Sequence, residues 1–376
     1  MGAHSDGLVS ARADGWLVGG AAIALWFVIT AQWLLHAPAV PGISGGLYWF
    51  FLTLTAAHFG VSYHLAYADR DAGVRRHPLA LVAVPAVTAA AVVVAWVLPG
   101  AHGSRDVLGV LISTVFALTI WHYAKQAYGV ARLGAALAGA RVSRGQNLVL
   151  RYSLYPLWFL SLVELGTKGR GGSMFGYPVG IGLFPPWMTS LTRGLCVVAL
   201  VAFAATIAMM SRQAGRLMPA AVWAPHVAGF LWIAFGPGYQ SAAIVLASLH
   251  ALQYLACVHR AERTWAVARS QPQANLWLLC VFGAAAAGGL FLTNWLVPAL
   301  AATVGGGSTT GTFAAGLFVV LNLHQYAMDA VMWRSSGTHV KRMVRPSGAT
   351  FAAPRADLGV GGPHDRSPAL VSGPAA

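Results

Sequence analysis

His58, His122, His250 and His324 each interrupt an otherwise apolar run, in "AHFGVSYHLAY", "WHYAKQAYGV", "SLHALQYLACVHR" and "NLHQYAMDAVMWR". An arginine follows each at a similar interval. His122, His250 and His324 precede Arg132, Arg260 and Arg334 by ten residues, and His58 precedes Arg70 by twelve. If those arginines mark a membrane surface, ten helical residues carry the chain about 15 Å inward, half of a hydrocarbon core of about 30 Å. The spacing therefore predicts four imidazoles in one layer near the midplane. Four neutral imidazoles in a dry layer lack donors enough for one another, whereas a metal ion satisfies all of them at once. The plainer expectation for each is a separate interhelical hydrogen bond.

Neighbouring polar residues extend the pattern. Positions three, four and seven apart share a helix face, so His122 lies with Lys125, Gln126 and Gly129, and His250 with Gln253, Tyr254 and Cys257. Gln126, Gln253 and Tyr254 are expected either to orient the imidazoles or to line a hydrogen-bonded seam. His64 lies six residues past His58, about 240° round the helix, and suits a hydrogen bond or a substrate contact. His226, in "WAPHVAG", follows Arg216 by ten residues and is a further candidate for the layer. Asn322, Gln325, Tyr326 and Asp329 form one polar face, with His324 to its side. Lys125 and Asp329 lie at nearly matched depth, and neither charge is tolerable alone in hydrocarbon. They are predicted to pair; the alternative is a Lys125 that snorkels to the surface. No catalytic acid, base or nucleophile is singled out.

The elements that must hold these residues are membrane helices. Of 376 residues, 57% are hydrophobic and 9% charged, against roughly a quarter charged in a soluble domain. Apolar runs near the spanning length of about 20 residues cover 15–36, 45–68, 78–99, 106–131, 147–166, 191–211, 218–236, 239–259, 275–298 and 312–333. The expected fold is an all-α polytopic membrane protein of about ten transmembrane helices. Residues 1–14 would be a cytoplasmic segment, 15–334 the membrane domain, and 335–376 a cytoplasmic tail, largely disordered. Residues 167–190, rich in Gly and Pro, read as an external loop that can re-enter the membrane. With both termini inside, 19 of the 24 Lys and Arg residues fall on the cytoplasmic side and 4 outside, as the positive-inside rule requires. That distribution accounts for the +14 formal charge without a nucleic-acid partner. Cys196, Cys257 and Cys280 sit in apolar runs with no CxxC pair, which leaves no thiolate site.

The four histidine boxes resemble those of the polytopic beta-carotene-cleaving dioxygenases of the bacterial Brp/Blh type. Order and approximate separations fit across about 280 residues, through "AHFGVSYHL", "WHYAKQAYG", "HALQY" and "HQYAMD". Three positions depart from the family pattern. No proline precedes His58, Gln126 stands where the second box has an acid, and Tyr254 replaces the second histidine of the third box. The resemblance implies a non-haem iron oxygenase in a bacterial inner membrane, with His58, His122, His250 and His324 as ligands and a membrane lipid or other apolar small molecule as substrate. Other readings stay open: a proton- or ion-coupled transporter, a b-haem electron-transfer protein, or a structural protein whose histidines join helices. Desaturase-type HxxHH boxes, a P-loop and a GxSxG elbow are absent. No oligomeric state follows from the sequence.

Overall fold

The computed structural model describes residues 7–35, 43–68, 76–97, 101–167, 173–180, 182–236, 239–268, 274–296, 298–299, 302, 307–333 and 338–344. Arg70, Arg75, Lys168, Arg170, Arg269, Arg334 and the tail beyond residue 344 lie outside the described residues.

Among the described residues the chain is all-α apart from one small hairpin and an isolated bridge between Thr167 and Phe184. Helix α1 (Ala11–Gly15) passes through a π-helical stretch, Trp16–Gly20, into α2 (Ala21–Leu34). Then come α3 (Ile43–Ala68), a π stretch Leu79–Ala83 leading into α4 (Val84–Val97), and α5 (Ala101–Leu137). The fifth predicted span is two helices, α6 (Arg144–Tyr152) and α7 (Tyr155–Gly166). The break at Ser153–Leu154 falls just ahead of Pro156, which has no N–H to continue the ladder. α8 (Trp187–Ala214) precedes α9 (Ala220–Gly229), which continues as a π stretch, Phe230–Ala234. The remainder is α10 (Tyr239–Ala268), α11 (Ala274–Phe291) with a π stretch Leu292–Leu296, α12 (Gly307–Met332) and α13 (Thr338–Val344).

Among the described residues six helices are long and apolar enough to cross a membrane: Arg12–Gln32, Leu79–Trp96, Val107–Leu137, Arg144–Gly166, Trp187–Ala214 and Asn275–Leu296. The seventh predicted run is shorter, Ala220–Ala234, and at about 1.5 Å per residue it falls short of a hydrocarbon core of about 30 Å. Leu191, Leu195, Val198 and Val201 of α8 are exposed, an apolar surface that suits lipid and would be a liability in water.

Four helices position the histidines. α3 touches α10, α10 touches α5, α5 touches α12, and α12 touches α3, so the four form a closed ring of neighbours. α11 braces α3 from outside at very short range. A Cβ on Gly60 would lie 2.7 Å from Ala285 Cα, and one on Gly289 would lie 2.7 Å from Ala56 Cβ. Only glycine permits that approach.

The loop expected at 167–190 carries a hairpin, β1 (Ser173–Met174) and β2 (Tyr177–Pro178). Phe175 and Gly176 take φ of 55° and 83°, the left-handed values a two-residue turn demands. Tyr177 and Val179 pack with Leu108, Ile112 and Ala315. The Tyr177 hydroxyl meets Thr312 Oγ1 at 2.6 Å, and Gly180 N donates to Ser113 Oγ at 3.1 Å. The hairpin thus covers one end of the ring between α5 and α12.

The opposite end is tied together by arginines. Arg216 donates to the Ala138 carbonyl (2.5 Å), and buried Arg260 donates to the carbonyls of Gly7 (2.5 Å) and Met343 (2.6 Å). The α5–α6 and α8–α9 connections, the N-terminal segment and α13 therefore share one end, because α1 packs on α9 and α13 on both α5 and α10.

Candidate metal centre

α3, α5 and α10 bring His58, His122 and His250 to one point inside the ring. All three are buried, and one ring nitrogen from each lies within 4.8 Å of the others. His122 Nε2 faces His250 Nε2 at 3.1 Å. A tyrosine walls each imidazole. Tyr254 stands edge-on to His58 at 4.2 Å between centroids, Tyr123 lies against His250 at 4.3 Å, and Tyr326 against His122 at 4.7 Å. Such rings exclude water and hold the imidazoles in fixed planes.

α12 closes the ring with Gln325 and Asp329, four residues apart and so on one face. The Gln325 side-chain amide is hydrogen-bonded to His58 Nε2 and donates to Ser62 Oγ at 3.3 Å. Asp329 Oδ1 accepts from Tyr254 OH (3.3 Å) and Trp333 Nε1 (3.1 Å). Its Oδ2 lies 3.3 Å from His122 Nε2 without a well-aligned hydrogen bond. His58 Nδ1, His250 Nδ1 and Gln325 Oε1 are buried without partners among the described residues. Orphaned buried polar atoms of this kind call for a water or an ion.

Gln126 and Gln253 support the trio through backbone. Gln126 Nε2 donates to the His250 carbonyl (2.8 Å) and to Gln253 Oε1 (3.3 Å), while Gln253 Nε2 donates to the Val18 carbonyl (2.7 Å). They fix where α10 stands relative to α5 and to the π stretch at Trp16–Gly20. Their hydrogen bonds go to backbone and to each other, not to the imidazole rings.

Other expected site residues stand elsewhere. His324 is turned toward α3. Tyr67 donates to the Leu81 carbonyl at 2.7 Å and lies 3.1 Å from His324 Nε2, while Tyr63 OH lies 2.9 Å from Nδ1. Both ring nitrogens of His324 are engaged by tyrosines of α3, and the residue lies outside the cluster that His58, His122 and His250 form. The four-histidine layer is thus a trio: Gln325, one residue and about 100° further on, takes the inward position. The Lys125–Asp329 pair is likewise not formed. Lys125 is exposed and sits 4.8 Å above the Trp121 ring, because a three-residue step leaves it about 60° off the His122 direction; Asp329 meets His122 instead. His226 is buried but remote from the trio. It donates Nε2–H to the Leu150 carbonyl (2.8 Å) and stacks on Phe203 at 4.4 Å, joining α9 to α6 and α8. His64 faces Trp277 of α11 at 6.1 Å.

Gln325 and Tyr326 belong to the polar face that the sequence displays on α12, and the i, i+4 relation of Gln325 to Asp329 was the signal for an inward pair. Tyr123 had no such signal, since its contact with His250 depends on the α5–α10 packing.

The donor set suits a metal. Two nitrogens 3.1 Å apart subtend about 95° at an ion about 2.1 Å from each, within the range of metal–imidazole bonds. Three imidazoles with a carboxylate beside them suit iron, copper or zinc. The three cysteines are free, and none belongs to the trio. No protein-family model, curated protein or solved structure matches the chain. Fold and site together define a helical protein with six helices long and apolar enough to cross a membrane among the described residues, and a buried histidine trio.

Proposed function

We propose that the chain is an integral-membrane, metal-dependent oxidoreductase, a non-haem iron oxygenase acting on a lipid-soluble substrate. The observation that carries this reading is the trio: three buried imidazoles from three helices, with nitrogens within 4.8 Å of one another and orphaned polar atoms at the same place. The four boxes that resemble the Brp/Blh-type dioxygenases support the oxygenase class, with His324 outside the ligand set. Ten spans with both termini cytoplasmic, in a bacterial inner membrane, are the proposed topology.

A redox-active ion held by three imidazoles would supply open coordination positions for dioxygen chemistry. The chain's own part is definable from its contacts. Tyr123, Tyr254 and Tyr326 keep water from the imidazoles, and Gln126 and Gln253 hold the backbone of α10. Asp329, anchored through Oδ1 by Tyr254 and Trp333, holds Oδ2 3.3 Å from His122 Nε2, where it would offer a metal an oxygen donor beside the imidazoles. The b-haem alternative gains nothing here, since nitrogens 3.1 Å apart leave no gap for a porphyrin between them.

One second reading has a specific contact in its favour. His122 beside Asp329 is also the arrangement of a proton relay in a coupled transporter. Metal analysis with an absorption spectrum, on protein purified in detergent, separates the two. About one equivalent of iron without a Soret band is expected. Metal-free protein after iron supplementation overturns the oxygenase reading and leaves the relay.

A further inference from the structure

His250 has a second neighbour besides the trio. A cavity of about 40 Å³ lies between α5, α7, α9 and α10, with His250 and Gln253 in its wall. Apart from Tyr123, whose ring lies against His250, the rest of the lining is apolar, including Ala124, Leu157 and Ile233. We infer that this cavity binds a small apolar molecule of the size of dioxygen and holds it against His250.

Size and polarity carry the inference. One water-sized sphere needs about 10–15 Å³, whereas an apolar cavity that takes benzene is about 150 Å³. The volume here admits a diatomic molecule and is too small to take up an isoprenoid or acyl chain whole. Water is a poor occupant because it needs two to four polar partners, and the one buried side-chain polar atom in the wall without a partner among the described residues is His250 Nδ1. Gln253 is committed at both ends, to Val18 and to Gln126, and His250 Nε2 is committed to His122. His250 Nδ1 is the one ring nitrogen of that residue without a partner. A small, partly open and mostly apolar pocket favours apolar gases, and a bilayer concentrates them. The assignment of dioxygen rests on the oxygenase reading; the affinity for an apolar gas does not.

Krypton is the probe, and crystals of the full chain pressurised with it provide the test. A krypton peak in this cavity, with no ordered water there at ambient pressure, is the expected result. Gly229 also lines the cavity, and a Cβ on it would meet Leu157 Cδ1 at an ordinary 3.5 Å. Gly229→Ala should therefore fold and lower krypton occupancy severalfold. Ordered water in the cavity, or no krypton in the unsubstituted protein, overturns the inference. Krypton in a protein that takes up no metal would keep the pocket and remove the oxygenase reading. Metal without krypton would remove the pocket alone.

Discussion

His324 and Gln325 are adjacent in sequence and serve different partners, and that division shapes the site. Gln325 meets His58, while His324 is consumed by Tyr63 and Tyr67. Substituting His58, His122 or His250 by Ala should each abolish stoichiometric metal binding, measured by elemental analysis of purified protein. His324→Phe should keep the metal and cost about 1–3 kcal/mol of stability through the stranded tyrosine hydroxyls. Loss of metal in His324→Phe with an unchanged melting transition would contradict this division. Asp329→Asn keeps the shape but removes the negative charge beside the proposed ion, so in a chelator competition metal affinity should fall by at least what loss of an outer-sphere partner costs, about 10–100-fold. The trio was legible because depth along a helix can be counted from the arginines. The exclusion of His324 and the fate of Lys125 were not, because rotation about the axis is settled by what the neighbouring helix offers: Tyr63 and Tyr67 in one case, Trp121 in the other.

At the level of elements, the helices that carry the site depend on close packing behind them. α3 holds His58 only two residues from Gly60, where a Cβ would meet the Ala285 backbone at 2.7 Å. Gly60→Leu should push α3 off α11 and destabilise the protein by about 1–3 kcal/mol or more. Thermal unfolding in detergent checks this, and the metal should be lost before the helices melt. An unshifted transition would mean that α11 does not brace the site. Helix placement was largely readable, since the ten apolar runs coincide with helical segments. The break before Pro156 and the brevity of Ala220–Ala234 were hidden in continuous apolar sequence. The hairpin at 173–178 was read only as a loop, because two-residue strands have no periodicity to detect.

The whole molecule has two distinct ends. Arg216 and Arg260 gather the N-terminal segment, α13 and the α5–α6 and α8–α9 connections at one end, and the hairpin covers the other. Single cysteines at Leu217 and Leu183, both highly exposed at 87% and 71%, should label from opposite sides of sealed vesicles in a chain without its native cysteines. Leu217 should be the cytoplasmic one; labelling of both from one side would contradict the topology. The sidedness is an expectation drawn from Lys and Arg alone, whereas the arginine ties to Gly7 and Met343 needed the fold, since residues 253 and 83 positions apart in sequence meet there. The central claim is that three imidazoles form one metal centre inside the α3–α5–α10–α12 ring. X-ray absorption fine structure at the metal edge of the purified protein tests it most directly. Three imidazole nitrogens at about 2.0–2.1 Å, together with oxygen donors, are the predicted shell. Four imidazoles, sulfur ligation, or no bound metal at all would contradict it.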